Sequence, residues 1–99
     1  MLIIIKGETM AKAKLKMYGL FREKCEVEEI ELSGRNFLEI LESLVQRFPS
    51  LKDLIFDENM KLKENVYLIN GRNINLLDGI NTTIKEGDNI AIFPIITGG

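Results

Sequence analysis

The stretch from Asn36 to Pro49, NFLEILESLVQRFP, constrains this chain more than any other. Phe37, Ile40, Leu41, Leu44, Val45 and Phe48 recur at the three-and-four spacing that lines apolar side chains along one side of an α-helix. Asn36 followed three residues later by Glu39 is a capping-box spacing: an Asn oxygen accepts from a free backbone N–H, and the Glu carboxylate reaches back. Pro49 stops the helix and biases Phe48 away from helical geometry. A helix with a single apolar face must bury it against another layer. The chain has 99 residues, one domain's worth, so the flanking segments have to supply that layer.

Those flanks read as strands. In AKAKLKMY, Ala13, Leu15 and Met17 alternate with lysines, the period of two expected of a strand with one buried face. Lys12, Lys14 and Lys16 then read as a solvated strand face before they read as a docking stripe for an acidic partner. GLFREK reads as a connection, with Gly19 permitting a turn. CEVEEIEL resumes the alternation, with Ile30 and Leu32 in phase and Val27 out of phase, which predicts a bulge near Glu28 or Glu29. Ser33 and Gly34 are expected to break this second strand, completing an N-terminal hairpin.

Beyond the helix, Leu51, Leu54 and Ile55 allow a short helical turn, followed by a polar loop. VYLIN is a strand ending at Asn70-Gly71, a strong turn signal. NINLLDGI predicts an irregular segment that plugs Leu76 and Leu77 into the core. Asp78 reads as a turn-former through local side-chain hydrogen bonding. KEGDN is another turn, and IAIF a final strand whose pairing should fail at Pro94 for want of an N–H. The order β-β-α-β-β predicts an α+β fold: a mixed sheet with one main helix packed across it. The regular pattern starts just after Met10. Residues 1–9 thus read as an N-terminal extension (a loosely attached strand, a disordered segment or a non-native addition), 10–94 as the domain and 95–99 as a flexible Gly-Gly tail.

Composition removes several classes of function. There is no His, which excludes catalytic triads, His-ligated metals and imidazole acid–base chemistry. The single Cys25 cannot form an internal disulfide or ligate an iron–sulfur cluster, and a free thiol fits a reducing, cytoplasmic location. No metal site and no autonomous enzyme are expected. A net charge of −2 gives no basic excess for nucleic acid. No segment approaches the roughly 18 apolar residues of a membrane span, so no membrane partner is expected.

The ending, IFPIITGG, is left unexplained by folding alone. Gly98 and Gly99 set no Cβ beside the terminal acyl carbon, and they reach backbone angles closed to other residues. Ile95, Ile96 and Thr97 favour extended backbone, a stiff lead to a free tip.

Taken together, LINGRNINLLDGINTTIKEGDNIAIFPIITGG resembles the β-grasp sulfur carriers of the MoaD/ThiS group, most closely the small subunit of molybdopterin synthase. The motifs are Asn70-Gly71-Arg72, Leu77-Asp78-Gly79, Gly87-Asp88, Ala91-Ile92-Phe93-Pro94 and Gly98-Gly99, in the family's order and spacing. YGLFREKCEVEEIEL resembles the family's first hairpin and the helix ending RFP its single helix, so the likeness runs from Ala11 to Gly99. Ile95 departs from the family's second proline, and Ile96 and Thr97 from its small residues before the glycines.

The resemblance implies a ubiquitin-like β-grasp fold and a chemistry located at the C-terminus. An E1-like adenylating enzyme would use ATP to activate the Gly99 carboxylate, which sulfur converts to a thiocarboxylate. A MoaE-like large subunit of molybdopterin synthase would take in the tail and bind the pterin precursor, for molybdenum or tungsten cofactor synthesis. No cofactor is bound by the carrier itself. Phe93, Pro94, Ile95, Ile96, Thr97 and Arg72 become candidate partner contacts, with Phe93 expected on the outer face of the sheet and Arg72 suited to a partner's carboxylate. Two alternatives stand beside this: a ubiquitin-like modifier joined to lysines of other proteins, and a β-grasp interaction domain without terminal chemistry. Sulfur carriage for thiazole synthesis fits less well, because such chains are usually shorter.

Overall fold

In the computed structural model, residues 10–95 are described; the expectations for residues 1–9 and for Ile96, Thr97, Gly98 and Gly99 lie outside that range. The alternating stretch forms β1 (Ala11–Met17), with Ala11, Ala13, Leu15 and Met17 buried and the three lysines exposed. Lys14 and Lys16 stand opposite Glu31 and Glu29 of β2 (Glu29–Gly34), so the basic stripe faces an acidic neighbour within its own sheet.

The segment between these strands is a short helix, α1 (Leu20–Cys25), where the sequence predicted only a connection. A six-residue helix has no stripe to betray it. It is anchored by Phe21, which is fully buried, and closed by Glu26 in the left-handed conformation, whose N–H donates to the Arg22 carbonyl at 2.9 Å. No bulge follows. The pairing runs unbroken from Ala11 opposite Gly34 to Lys16 opposite Glu29, and Val27 simply precedes the strand. Gly34 does not break β2 but ends it as a paired residue. A Cβ there would stand 3.0 Å from the Glu39 Cβ and 3.1 Å from the Ile40 nitrogen, so glycine lets the helix pass close to the strand.

The main helix, α2 (Phe37–Arg47), begins and stops where its sequence dictates. The Glu39 N–H donates to Asn36 Oδ1 at 3.0 Å. The reciprocal bond is shifted by one residue: the Arg35 N–H, not that of Asn36, donates to Glu39 Oε1 at 2.8 Å. Phe37, Ile40, Leu41 and Leu44 face the sheet with no exposed surface. A 3₁₀ turn (Pro49–Leu51) and α3 (Lys52–Ile55) then carry Leu51 and Ile55 into the core, as the sequence allowed.

Strand β3 (Asn65–Ile69) turns back at Asn70 and Gly71, both at positive φ, into a two-residue strand, β4 (Arg72–Asn73), absent from the sequence reading. The next segment corrects the predicted plug. Ile74 is buried, Leu77 is half-buried, and Leu76 is 79% exposed. In the following 3₁₀ turn (Gly79–Asn81) the Asp78 side chain makes no capping bond; the Thr82 hydroxyl does that work, accepting from the Asp78 N–H and donating to the Gly79 carbonyl.

The final strand, β5 (Asp88–Pro94), lies between β1, to which it is parallel, and β3, to which it is antiparallel. The sheet order is β2-β1-β5-β3-β4, a mixed sheet with α2 across one face, as the α+β reading anticipated.

Candidate functional site

The tail leaves the domain from the most supported strand of the sheet. Along β5, Ile90 and Ile92 are buried against the helix side, whereas Ala91 and Phe93 are half-buried on the opposite face. Phe93 thus occupies the outer face, where the alternation placed it. Its ring stacks on Tyr18, with centroids 4.3 Å apart and planes 9° from parallel. Stacked aromatic pairs contribute about 0.5–1.5 kcal/mol beyond the area they bury. The stack fixes the chain just past the end of β1 against the end of β5.

Pro94 does not end the pairing on both sides, as the sequence led us to expect. It still pairs in register with Asn65 of β3. The reason is the alternation of polar groups along a strand. The Tyr18 N–H donates to the Ile92 carbonyl at 3.1 Å, so Ile92, and two residues on Pro94, direct their polar groups toward β1. The missing N–H therefore falls where β1 has already turned away, and the β3 side of the ladder is untouched. Gly19 sits there instead: a Cβ on it would lie 2.9 Å from Pro94 Cγ. Beyond the proline, Ile95 is 42% exposed.

Of the other residues singled out in the sequence, Ile96, Thr97, Gly98 and Gly99 lie outside the described residues. Arg72 is exposed at the start of β4, where it pairs with Ile69. Ile69 in turn pairs with Ile90, four residues before Pro94, or roughly 13 Å along the strand. The structure therefore groups Phe93, Pro94 and Ile95 and sets Arg72 apart. Cys25 is half-buried at the end of α1, and burial pushes its thiol above the usual range, which disfavours the reactive thiolate.

Tyr18 and Gly19 are the residues that the structure adds to this candidate site and that the sequence did not single out for it. Their period placed Tyr18 on the outer face with the lysines. Only the parallel register of β1 on β5, with Met17 opposite Ile92, brings it level with Phe93. A pairing between residues some 75 positions apart leaves no local signal.

A mixed sheet packed on one main helix, with its central strand ending at a proline, is the architecture of the ubiquitin-like β-grasp proteins. The chain belongs to the ThiS family, whose model matches residues 15–99. It is thus a MoaD/ThiS-type member of the ubiquitin-like sulfur-carrier and modifier proteins. The structure of small archaeal modifier protein 1 from Methanosarcina acetivorans superposes with a TM-score of 0.82 at 38% identity, over 92% of this chain and 99% of that one. A Pyrococcus furiosus protein provisionally described as molybdopterin converting factor, subunit 1, gives a TM-score of 0.69 at 25% identity, over 87% of this chain and 99% of that one. Small archaeal modifier protein 3 of Haloferax volcanii is 39% identical over 62 residues, which span 62% of this chain and 66% of that protein, just short of two thirds. Among the described residues no helix is long and apolar enough to cross a membrane.

Proposed function

We propose that this chain is a cytoplasmic acyl carrier of sulfur whose reacting group is the carboxylate of Gly99. An E1-like enzyme supplies ATP: a Gly99 carboxylate oxygen attacks the α-phosphorus and pyrophosphate leaves. Sulfide, as HS⁻, then attacks the acyl carbon, its sulfur forming the new C–S bond as the C–O bond to AMP breaks, and after loss of the proton a thiocarboxylate remains. Delivery of that sulfur to a pterin precursor, held by a MoaE-like large subunit, gives the carrier its place in molybdenum or tungsten cofactor synthesis. The chain's own part is mechanical. It holds the tail at a fixed root and offers partners the Tyr18–Phe93 stack, Pro94 and Ile95, with Arg72 as a separate contact for a partner carboxylate.

The observation that supports this reading is β5 itself: a strand paired on both flanks, ending at a proline, with the family match continuing to Gly99. The likeness to a Pyrococcus furiosus protein described as a molybdopterin converting factor subunit favours the pterin destination.

A second reading shares the activation step and differs in the acceptor. If a lysine amine attacks the acyl adenylate in place of sulfur, the chain becomes a protein modifier. The names of its relatives from Methanosarcina acetivorans and Haloferax volcanii favour this route. Intact-mass spectrometry of the protein purified from its native host separates the two. A mass increase equal to sulfur replacing oxygen supports the carrier. Gly99–lysine isopeptides on other proteins support the modifier. Deletion of Gly99 is expected to abolish both products while leaving the fold intact; a truncated chain that keeps full cellular function would establish a plain interaction domain instead.

A further inference from the structure

Asn70 and Gly71 form the tip of the β3–β4 hairpin, and Asn-Gly is the sequence most prone to intramolecular imide formation, because glycine leaves the following backbone nitrogen unhindered. Nothing lies within 4 Å of where a Gly71 Cβ would project, so the outer side of the turn is open to water. The Asn70 side chain, in contrast, is held at both ends. Its Nδ2 donates to Asp88 Oδ1 at 2.9 Å, and its Oδ1 accepts from the Asn89 N–H at 2.9 Å. The Asn70 N–H donates to the Asn89 carbonyl at 2.7 Å. Asp88 is only 8% exposed, and its second oxygen accepts from the Lys85 N–H at 2.7 Å, so the carboxylate is fixed in its turn.

We propose that Asn70 is a latent deamidation site held shut by this clip to the start of β5. With both ends of the amide fixed, its plane cannot rotate to present Cγ to the Gly71 nitrogen. When the clip opens, that nitrogen attacks Cγ, a C–N bond forms, and ammonia leaves with the nitrogen's proton. Water then opens the imide to aspartate or isoaspartate. Neither product restores the clip. Aspartate sets a second carboxylate against Asp88 and removes the donor, and isoaspartate lengthens the backbone of a two-residue turn between Ile69 and Arg72. Opening therefore marks the hairpin that carries Arg72 irreversibly.

The test is incubation of the full-length protein in mildly alkaline buffer, with peptide mapping of residues 64–72 and isoaspartate detection. The folded protein should deamidate at Asn70 far more slowly than the urea-unfolded chain. Asp88→Asn, checked for folding by circular dichroism, should accelerate the folded-state reaction about tenfold or more, since it replaces two charged acceptor oxygens by one neutral oxygen that cannot serve both the Asn70 amide and the Lys85 N–H. Equal rates in folded and unfolded protein would overturn the proposal, as would a folded Asp88→Asn variant no faster than the native chain. If that variant does not fold, hydrogen exchange of the Asn89 amide in the native protein takes its place. Its opening and the deamidation rate should rise together through sub-denaturing urea, and a deamidation rate that ignores that opening refutes the clip.

Discussion

At Gly19 two constraints coincide: a φ of 58°, which side-chain-bearing residues rarely adopt, and a Cβ position 2.9 Å from Pro94 Cγ. Gly19→Ala is therefore expected to lower stability by about 1–3 kcal/mol, read from the urea midpoint. It should also displace Pro94, which a changed Phe93 ring environment in NMR spectra would report. Ile74 and Leu76 make a sharper pair. Ile74→Ala should cost about 2–5 kcal/mol, whereas Leu76→Ser should fall within about 0.5 kcal/mol of the parent. Both are apolar residues in one irregular segment, and no period separates them in the sequence. What decides between them is the 3₁₀ turn beginning at Ile74, which seats its own side chain in the core and swings Leu76 outward. The same limit applied at Asp78, where a neighbouring threonine hydroxyl took over the local bonding.

Elements were legible in proportion to their own regularity. α2 announces both ends, and β1 its buried face, because each repeats a period over seven or more residues. α1 and β4 are too short to repeat anything, and they exist because Phe21 is buried and because the Asn70-Gly71 turn returns the chain onto β3. The start of α2 carries a pH dependence. The Arg35 side chain, bonded to Glu39 through its guanidinium, and the Arg35 N–H hold the Glu39 carboxyl below the usual range. The folded state thus binds this proton more weakly than the unfolded chain. Its stabilisation is complete above the ordinary glutamate value of about 4.3 and fades as pH falls through the lowered folded value. Glu39→Gln should flatten this acid limb of a stability–pH curve, and Asn36→Ala should cost about 1 kcal/mol without changing its slope.

For the molecule as a whole, the candidate site was half readable. Its root is contiguous in sequence, with Phe93 and Pro94 closing β5 and Ile95 just beyond it, so motif and alternation point to it directly. Its second wall, Tyr18 and Gly19, comes from the far end of the chain, and only the parallel β1–β5 pairing delivers it. The two faces of β5 should accordingly separate stability from partner engagement. Ile92→Ala is expected to cost about 2–5 kcal/mol in chemical denaturation. Phe93→Ala should cost less but slow tail activation in a reconstituted assay with the native host's E1-like enzyme. An unchanged activation rate for a folded Phe93→Ala protein would remove the stack from the docking surface.

That parallel pairing also sets how the domain bears load. β1 begins at Ala11 and β5 ends at Pro94, so tension between Met10 and Ile95 acts along the two strands in opposite senses. They must slide past one another, and the hydrogen bonds joining them must fail together instead of unzipping singly. On its other flank β5 is sheared against β3 as well. A machine that grips this protein by its tail and hauls meets the stiffest mechanical barrier at the first strand it pulls.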